Sequence, residues 1–400
     1  MIEMPQGFLL AAANADFRGK GQNRNDLCLV LSETPAATAG TFTTNRFPAA
    51  PVTVCRNYLA GHGTARAVVI NSGQANACTG EKGMENCLQS LRMVSAVLLS
   101  AGKNVDPEQI LPASTGVIGA QMDMAKWEKA LPSLAASLGG VDIEGLARAM
   151  MTTDRFPKMA GRTLSFPGCT IRLAGVAKGA GMICPNMATT LAVVMCDAAV
   201  PEDDWKRMVK NATDKSFNRV CVDGDTSTND SILALANGAS GCTAGKDHLP
   251  ELENALTGVL QDLAYMLVRD GEGATRVMHI HVTGAQSDAD ADIIARTVGN
   301  SQLVKTAMFG RDPNWGRIVA AVGRSGADFN ANDVRVTLCG VTLFEHGMPT
   351  DIDFDKALEE PLSHVDLPLD ISVGSGAGEA VLLASDLSHD YVTLNSDYRS

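Results

Sequence analysis

No basic stripe, no membrane-length apolar run and no C-x-x-C pair occurs in this sequence, and each absence removes a class of protein. With 33 lysines and arginines against 45 aspartates and glutamates, the net charge is −12. A nucleic-acid partner requires clustered cations that displace counterions from phosphate, so no nucleic-acid role is expected. The longest apolar stretches, MVSAVLLSAG at 93–102 and the run after Thr189, fall short of the ~20 residues that span a bilayer, so no membrane role is expected either. The opening MIEMPQGFLLAAANADF has no basic segment, carries Glu3 and has too short an apolar centre for a secretory signal. It reads as a strand entering the fold. The ten cysteines are scattered, mostly within apolar segments, and are expected as reduced thiols packed as small hydrophobes in a cytoplasm.

Other absences concern chemistry. Neither G-x-x-x-x-G-K-[ST] nor G-x-S-x-G is present, which removes the P-loop and the α/β-hydrolase elbow. His279 and His281 lie two apart on an expected strand and share a face, yet a third ligand is missing nearby, so they read as solvated or satisfied histidines and no metal is expected. DGDTSTND at 223–230 starts like a calcium loop but has Thr228 at the glycine position and Ala234 at the glutamate position. It reads instead as a hydrogen-bonded turn capping a helix SILALANG. GSGAGE at 374–379 lacks the spacing of a dinucleotide fingerprint and reads as a hairpin turn before a strand AVLLASD.

Aromatic residues are only 4%, while 38 glycines and abundant alanine point to a core of Val, Leu, Ile, Ala and Met. Strand-like pieces (DLCLVLSE, GTFTTN, ARAVVINSG) precede helical patterns in MENCLQSLRMVSAVLLSAG, DMAKWEKALPSLAASLGG and DIEGLARAMMTTD. Strands resume in TIRLAGVAKG and LAVVMCDAAV. Helices follow at PEDDWKRMVKNATDKSF and DHLPELENALTGVLQDLAYMLVRDG, then a half-buried strand at RVMHIHVTGA. The fold class expected is α/β (α+β), layered, with no linker marking a domain boundary.

The segment KGAGMICPNMATTLAVVMCDA, 178–198, sets Thr189 and Thr190 before a buried strand. A threonine there usually reflects β-propensity, and its hydroxyl is a weak nucleophile without a base. One arrangement needs no separate base. If the Ala188–Thr189 bond breaks, the new α-amine, with a pKa of about 7.7–8.0, can accept the proton of its own hydroxyl. The KGAG turn and Pro185 would hold that bond bent while Thr189 Oγ1 attacks the Ala188 carbonyl. STGVIG at 114–119 is open to two readings: a loop between helices, or a two-donor oxyanion pocket from a Thr hydroxyl and a Gly N–H.

These residues closely resemble the ornithine acetyltransferase (glutamate N-acetyltransferase) family of arginine biosynthesis. The likeness runs through GTFTTNRFPAAPV, NSGQANACTG, STGVIG, MTTDRFPK, KGAGMICPNMAT, SFNRVCVDGDTSTND, RDGEGATR, KTAMFGRDPNWGRI and YVTLNSDYRS, in the family's order. The resemblance implies a precursor that cuts itself into an α chain, 1–188, and a β chain, 189–400, forming one interleaved body of stacked sheets flanked by helices, usually α2β2. It implies Thr189 as nucleophile and Thr115 and Gly116 as oxyanion donors. Thr152, with Thr153 as its close rival, Lys178, Glu272, Asn395 and Ser400 match the substrate-gripping positions. The implied substrates are N2-acetylornithine and glutamate, with acetyl-CoA as a further donor in bifunctional members and no cofactor. Ser400 replaces the family's usual threonine, Gln74 an asparagine and Thr190 a methionine. A related alternative is a self-cleaving amidohydrolase or aminopeptidase that passes the acyl group to water.

Overall fold

Strands and helices mix along the whole chain in a computed structural model that describes residues 2–19, 21, 23–184, 190–245 and 248–397. The strands are β1 (Phe8–Ala13), β2 (Leu27–Phe42), β3 (Thr64–Gln74), β4 (Ile110–Val117), β5 (Lys158–Phe166), β6 (Cys169–Lys178), β7 (Leu191–Cys196) and β8 (Val220–Cys221). They continue as β9 (Ser231–Ala236), β10 (Val277–Ala285), β11 (Arg335–Leu338), β12 (Val341–Glu345), β13 (Met348–Pro349), β14 (Asp366–Ser372) and β15 (Gly378–Ser385). The helices are α1 (Ala50–Gly61), α2 (Gly80–Ser100), α3 (Met124–Ala136), α4 (Ile143–Met150), α5 (Glu202–Asp214) and α6 (Leu249–Arg269). After them come α7 (Asp288–Gly299), α8 (Gln302–Phe309), α9 (Trp315–Gly323), α10 (Phe354–Leu358) and α11 (His389–Asp397).

Among the described residues two sheets form, one ordered β4-β3-β2-β9-β7-β6-β5 with β1 also on β2, the other β13-β12-β11-β14-β10-β15-β8. The apolar run LAVVMC makes β7 a central strand, antiparallel to β6 and parallel to β9, with every residue buried. Strands covered on both faces read as continuous hydrophobic runs, which is why no alternation is visible there. SILALA, expected as helix, is instead β9, held between β2 and β7. Leu and Ala favour helices in isolation, but ladder bonds on both edges override that preference.

DLCLVLSE and GTFTTN are one strand, β2, with a register shift after Leu31. Pro35 lies inside that irregularity, where a missing N–H costs no ladder bond. The N-terminal half of β2 pairs with β1 and the C-terminal half with β9. Leu27, Leu29 and Leu31 face α2 and α3, whereas Cys28 and Val30 face the cluster containing α4. Period-2 alternation thus serves two cores from one strand. α5 and α6 cover the other half of this sheet, and α6 also reaches β8 and β15 of the second sheet.

In the second sheet, Met278, Ile280 and Val282 pack with α7, α8 and α9. His279 and His281 point to the opposite, partly exposed face, as their spacing predicts. His279 Nε2 lies 2.7 Å from Asp366 Oδ1, and His281 Nδ1 lies 3.6 Å from Asp370 Oδ1. GSGAGE does not form the expected hairpin: β14 and β15 lie on either side of β10, parallel and antiparallel to it. A strand from much earlier in the chain occupies the position that adjacency in sequence would assign to the partner.

The cysteines need one correction. Cys169 and Cys242 are joined in a disulfide, with a Cα–Cα distance of 5.7 Å across 73 residues. Such a pair meets only through tertiary folding, so spacing could not reveal it. The other eight are free, and burial pushes the Cys87 and Cys196 thiols up to about 12, as suits small hydrophobes. Among the described residues no helix is long and apolar enough to cross a membrane.

Candidate active site

A cavity of about 380 Å³ opens where the first sheet's strand ends meet the turn after α6 and the helix α11. Its lining includes Thr115, Gly116, Thr152, Thr153, Lys178, Glu272 and Asn395. The structure therefore brings together all the expected site residues it describes. Ala188, Thr189 and Ser400 lie outside the described residues.

STGVIG begins as strand: Thr115 and Gly116 lie near the end of β4, parallel to β3 in the register Ser72↔Thr115 and Gly73↔Gly116. The loop between helices is not found, because the parallel partner extends the strand to Val117. Gly116 has φ 130°, and a Cβ there would stand 2.2 Å from the Gly73 carbonyl carbon, so glycine alone fits this backbone approach. Asn229 fixes the same strand from below, donating from Nδ2 to Ala75 O at 2.6 Å and to Ser114 O at 2.8 Å.

Lys178 ends β6 and is almost wholly buried. Its Nζ donates to Thr115 Oγ1 at 3.1 Å, which leaves the threonine's own hydrogen free to donate elsewhere. Burial pushes the Lys178 amine below the ordinary lysine range, and nearby Asp154 partly offsets this. In β6–β7 register Lys178 stands opposite Leu191, so the start of β7 runs beside the end of β6. Thr190 N donates to Asp230 Oδ1 at 2.9 Å, and Ser231 N donates to Thr190 O at 2.9 Å. Thr190 is thereby anchored just before the strand. Burial pushes the Asp230 carboxyl well above the usual carboxylate range, against the pull of the Thr190 N–H and Lys178.

A buried ionic cluster holds the walls in place. Asp154 Oδ1 accepts from Lys158 Nζ at 2.6 Å and from Gly179 N at 2.7 Å, while its Oδ2 accepts from Thr152 N at 2.8 Å. Lys158, fully buried, also donates to Asp270 Oδ2 at 2.5 Å. One carboxylate thus ties the Thr152 loop to the KGAG turn, and one lysine ties both to the end of α6. Burial alone would raise the Asp154 carboxyl, but Lys178 and Lys158 prevail and hold it well below the usual range.

Glu272 follows that end of α6. Its backbone N donates to Ala180 O at 2.8 Å, and its Oε2 accepts from Asn395 Nδ2 at 2.9 Å. Gly273, with φ 69°, allows α11 close: a Cβ there would stand 2.4 Å from Tyr391 N. Asp223 closes the far wall, accepting from Met182 N at 2.6 Å and Ile183 N at 2.9 Å. Asp154, Lys158, Asp270, Asn229 and Asp223 escaped the sequence reading as functional residues. The charged letters in MTTDRFPK and RDGEGATR were the available signal, though nothing in them says that the two blocks pair.

The result is a polar pocket lined by one buried lysine, the carboxylates of Glu272, Asp223 and Asp225 and a hydroxyl–glycine pair, framed by buried ion pairs. Such a site defines an enzyme acting on a small charged molecule. Comparison with known proteins narrows this. The ArgJ family model matches residues 9–400, and the chain belongs to the ArgJ family. An "Arginine biosynthesis bifunctional protein ArgJ" of Nitratidesulfovibrio vulgaris is 60% identical over 400 residues, covering 100% of both chains. One of Thermosynechococcus vestitus is 44% identical over 415 residues, covering 99% of this chain and 97% of its own. Among solved structures, the bifunctional protein argJ of Bacillus halodurans is 33% identical with a TM-score of 0.49, covering 50% of this chain and 96% of its own. An ornithine acetyltransferase of Mycobacterium tuberculosis, solved with ornithine, is 32% identical with a TM-score of 0.40, covering 46% of this chain and 93% of its own.

Proposed function

We propose that this acetyltransferase of arginine biosynthesis moves the acetyl group of N2-acetylornithine to glutamate through an acetyl-Thr189 ester. The observation that carries the reading is the convergence of Thr115, Gly116, Thr152, Lys178, Glu272 and Asn395 on one cavity beside the anchored start of β7. The reaction requires cleavage between Ala188 and Thr189, yielding chains 1–188 and 189–400. Thr189 Oγ1 attacks the acetyl carbonyl while the freed α-amine takes the hydroxyl proton. The Thr115 hydroxyl, already accepting from Lys178, and the Gly116 N–H donate to the tetrahedral oxyanion. The C–N bond breaks and ornithine leaves with a proton. The neutral amine of glutamate then attacks the ester, and N-acetylglutamate leaves as Thr189 is restored. Lys178 suits a substrate carboxylate, and Glu272, steadied by Asn395, suits an ammonium. Ser400, outside the described residues, belongs to the same reading as a further hydroxyl for substrate.

Acetyl-CoA as a second donor, an α2β2 assembly and a cytoplasmic location belong to the same reading. N-terminal sequencing and a reducing denaturing gel test it: two chains are expected, the second beginning TTLAVV, and a Thr189→Ala variant stays whole and inactive. A single continuous chain with full activity overturns it. If acetylornithine yields acetate regardless of added glutamate, the enzyme is a hydrolase instead; an acetyl-CoA assay with glutamate decides the second donor.

A further inference from the structure

Outside the cavity, one cluster of reactive groups has no part in the chemistry above. Cys184 lies on the segment that carries Met182 in the cavity wall, and Cys221 lies on β8 immediately before Val222 and Asp223. The two segments are bonded where they pass: Val222 N donates to Ile183 O at 2.6 Å, and Ile183 N donates to the Asp223 side chain at Oδ1, 2.9 Å away. Residues adjoining each cysteine are thus held together. Both sulfurs reach one acceptor, Asn300 Oδ1, at 2.9 Å from Cys221 Sγ and 3.8 Å from Cys184 Sγ. Sharing that one acceptor brings the two sulfurs into the same small neighbourhood.

The pair is unequal. Cys184 is partly exposed and Cys221 is buried. The Cys221 contact, the Asn300 side chain and Arg296 together lower the Cys184 thiol from its ordinary value, although burial and Asp223 oppose them. Contact with Cys184, then burial, pushes Cys221 up, while Lys305 pulls it down. Lys305 is itself buried, donating to Ser385 O beside the same strand, which pairs Ala384 with Cys221. A partly exposed cysteine whose thiol is lowered, sharing an acceptor with a buried one whose thiol is raised, is the arrangement of an oxidisable cysteine with its resolving partner.

We propose that Cys184 is a peroxide-oxidisable thiol and Cys221 its resolving cysteine, so that this cluster is a reversible dithiol–disulfide site against the cavity wall. The Cys184 thiolate attacks one oxygen of hydrogen peroxide; an S–O bond forms, the O–O bond breaks, and the released hydroxide takes a proton to become water. The Cys221 sulfur then attacks the sulfenic acid. An S–S bond forms, the S–O bond breaks, and hydroxide leaves as water with the Cys221 proton. Two thiols lose two electrons, and one peroxide becomes two waters.

The test treats the purified, dithiothreitol-reduced and desalted full-length protein with increasing hydrogen peroxide. Free thiols are alkylated, the chain is digested without reduction, and its peptides are weighed. A cross-linked peptide pair containing Cys184 and Cys221 is expected, appearing before oxidation of the exposed Cys78 and disappearing with dithiothreitol. A Cys221→Ser variant is expected to accumulate a dimedone-reactive sulfenic acid at Cys184 at least tenfold above the wild type. If Cys78 or Cys339 is oxidised first while Cys184 and Cys221 both remain alkylatable, the proposal is wrong. The wild-type cross-link is decisive even where a variant fails to fold.

Discussion

Replacing Asp154 with Asn removes one charge from the ionic frame with almost no change of shape. The carboxylate serves three donors, Lys158 Nζ, Gly179 N and Thr152 N, through its two oxygens. An amide has one oxygen. If it keeps Lys158 and Gly179, its NH2 faces the Thr152 N–H, and that buried donor loses its acceptor at a cost of about 1–3 kcal/mol. Lys158 also loses half its counter-charge. Removing one partner of a buried pair costs about 3–5 kcal/mol when the other is left alone, but Asp270 remains at 2.5 Å, so the lower part of that range applies. The two costs together give an expected loss of about 4–6 kcal/mol, read as a shift in urea midpoint with unchanged slope at fixed protein concentration. A Lys158→Met variant, which leaves two buried carboxylates, should lose more. The pH dependence has a definite sign. Because the folded protein holds Asp154 below its ordinary range, its contribution is complete above the usual carboxylate pKa and is lost as pH falls through the folded value. The gap between wild type and D154N should be flat near neutrality and close in acid. A loss under ~1 kcal/mol, or a gap that widens in acid, would refute this account of the frame.

Other substitutions probe the site more directly. Gly116→Ala forces a Cβ against the Gly73 backbone, and we expect turnover to fall at least ~10²-fold with a displaced oxyanion donor, measured as kcat alongside circular dichroism. Glu272→Gln keeps the shape but removes the charge offered to an ammonium. A charge-assisted bond worth about 1.5–3 kcal/mol predicts KM rising about 10- to 100-fold, with kcat less affected; unchanged KM would remove Glu272 from substrate binding. Asn229→Ala leaves the Ala75 and Ser114 carbonyls without their shared donor and should cost about 2–3 kcal/mol in denaturant unfolding.

The helix α6 was legible because its buried positions, from Leu252 through Val268, recur at three and four residues. The strand β7 was legible as an unbroken apolar run before a turn. SILALA misled because a short buried run carries no period of its own, and only its neighbours decide between helix and strand. The site separated along similar lines. Thr115 and Gly116 sit in a motif with readable chemistry, and Lys178 and Glu272 were reached only through the family resemblance, whereas the pairing of Lys158 with Asp270 spans 112 residues and leaves no local trace. Asn229 was missed for a different reason: its amide supports backbone carbonyls, and nothing in its letter distinguishes that work from an ordinary turn asparagine.

The disulfide acquires a second meaning if the backbone is severed before Thr189. Cys169 precedes that point and Cys242 follows it, so the bridge crosses the break. The two products would remain one covalent molecule, migrating together on an unreduced gel and separating only when a thiol is added. Dilution could not drive such tethered halves apart, so their association would not depend on concentration while the sulfurs stay joined.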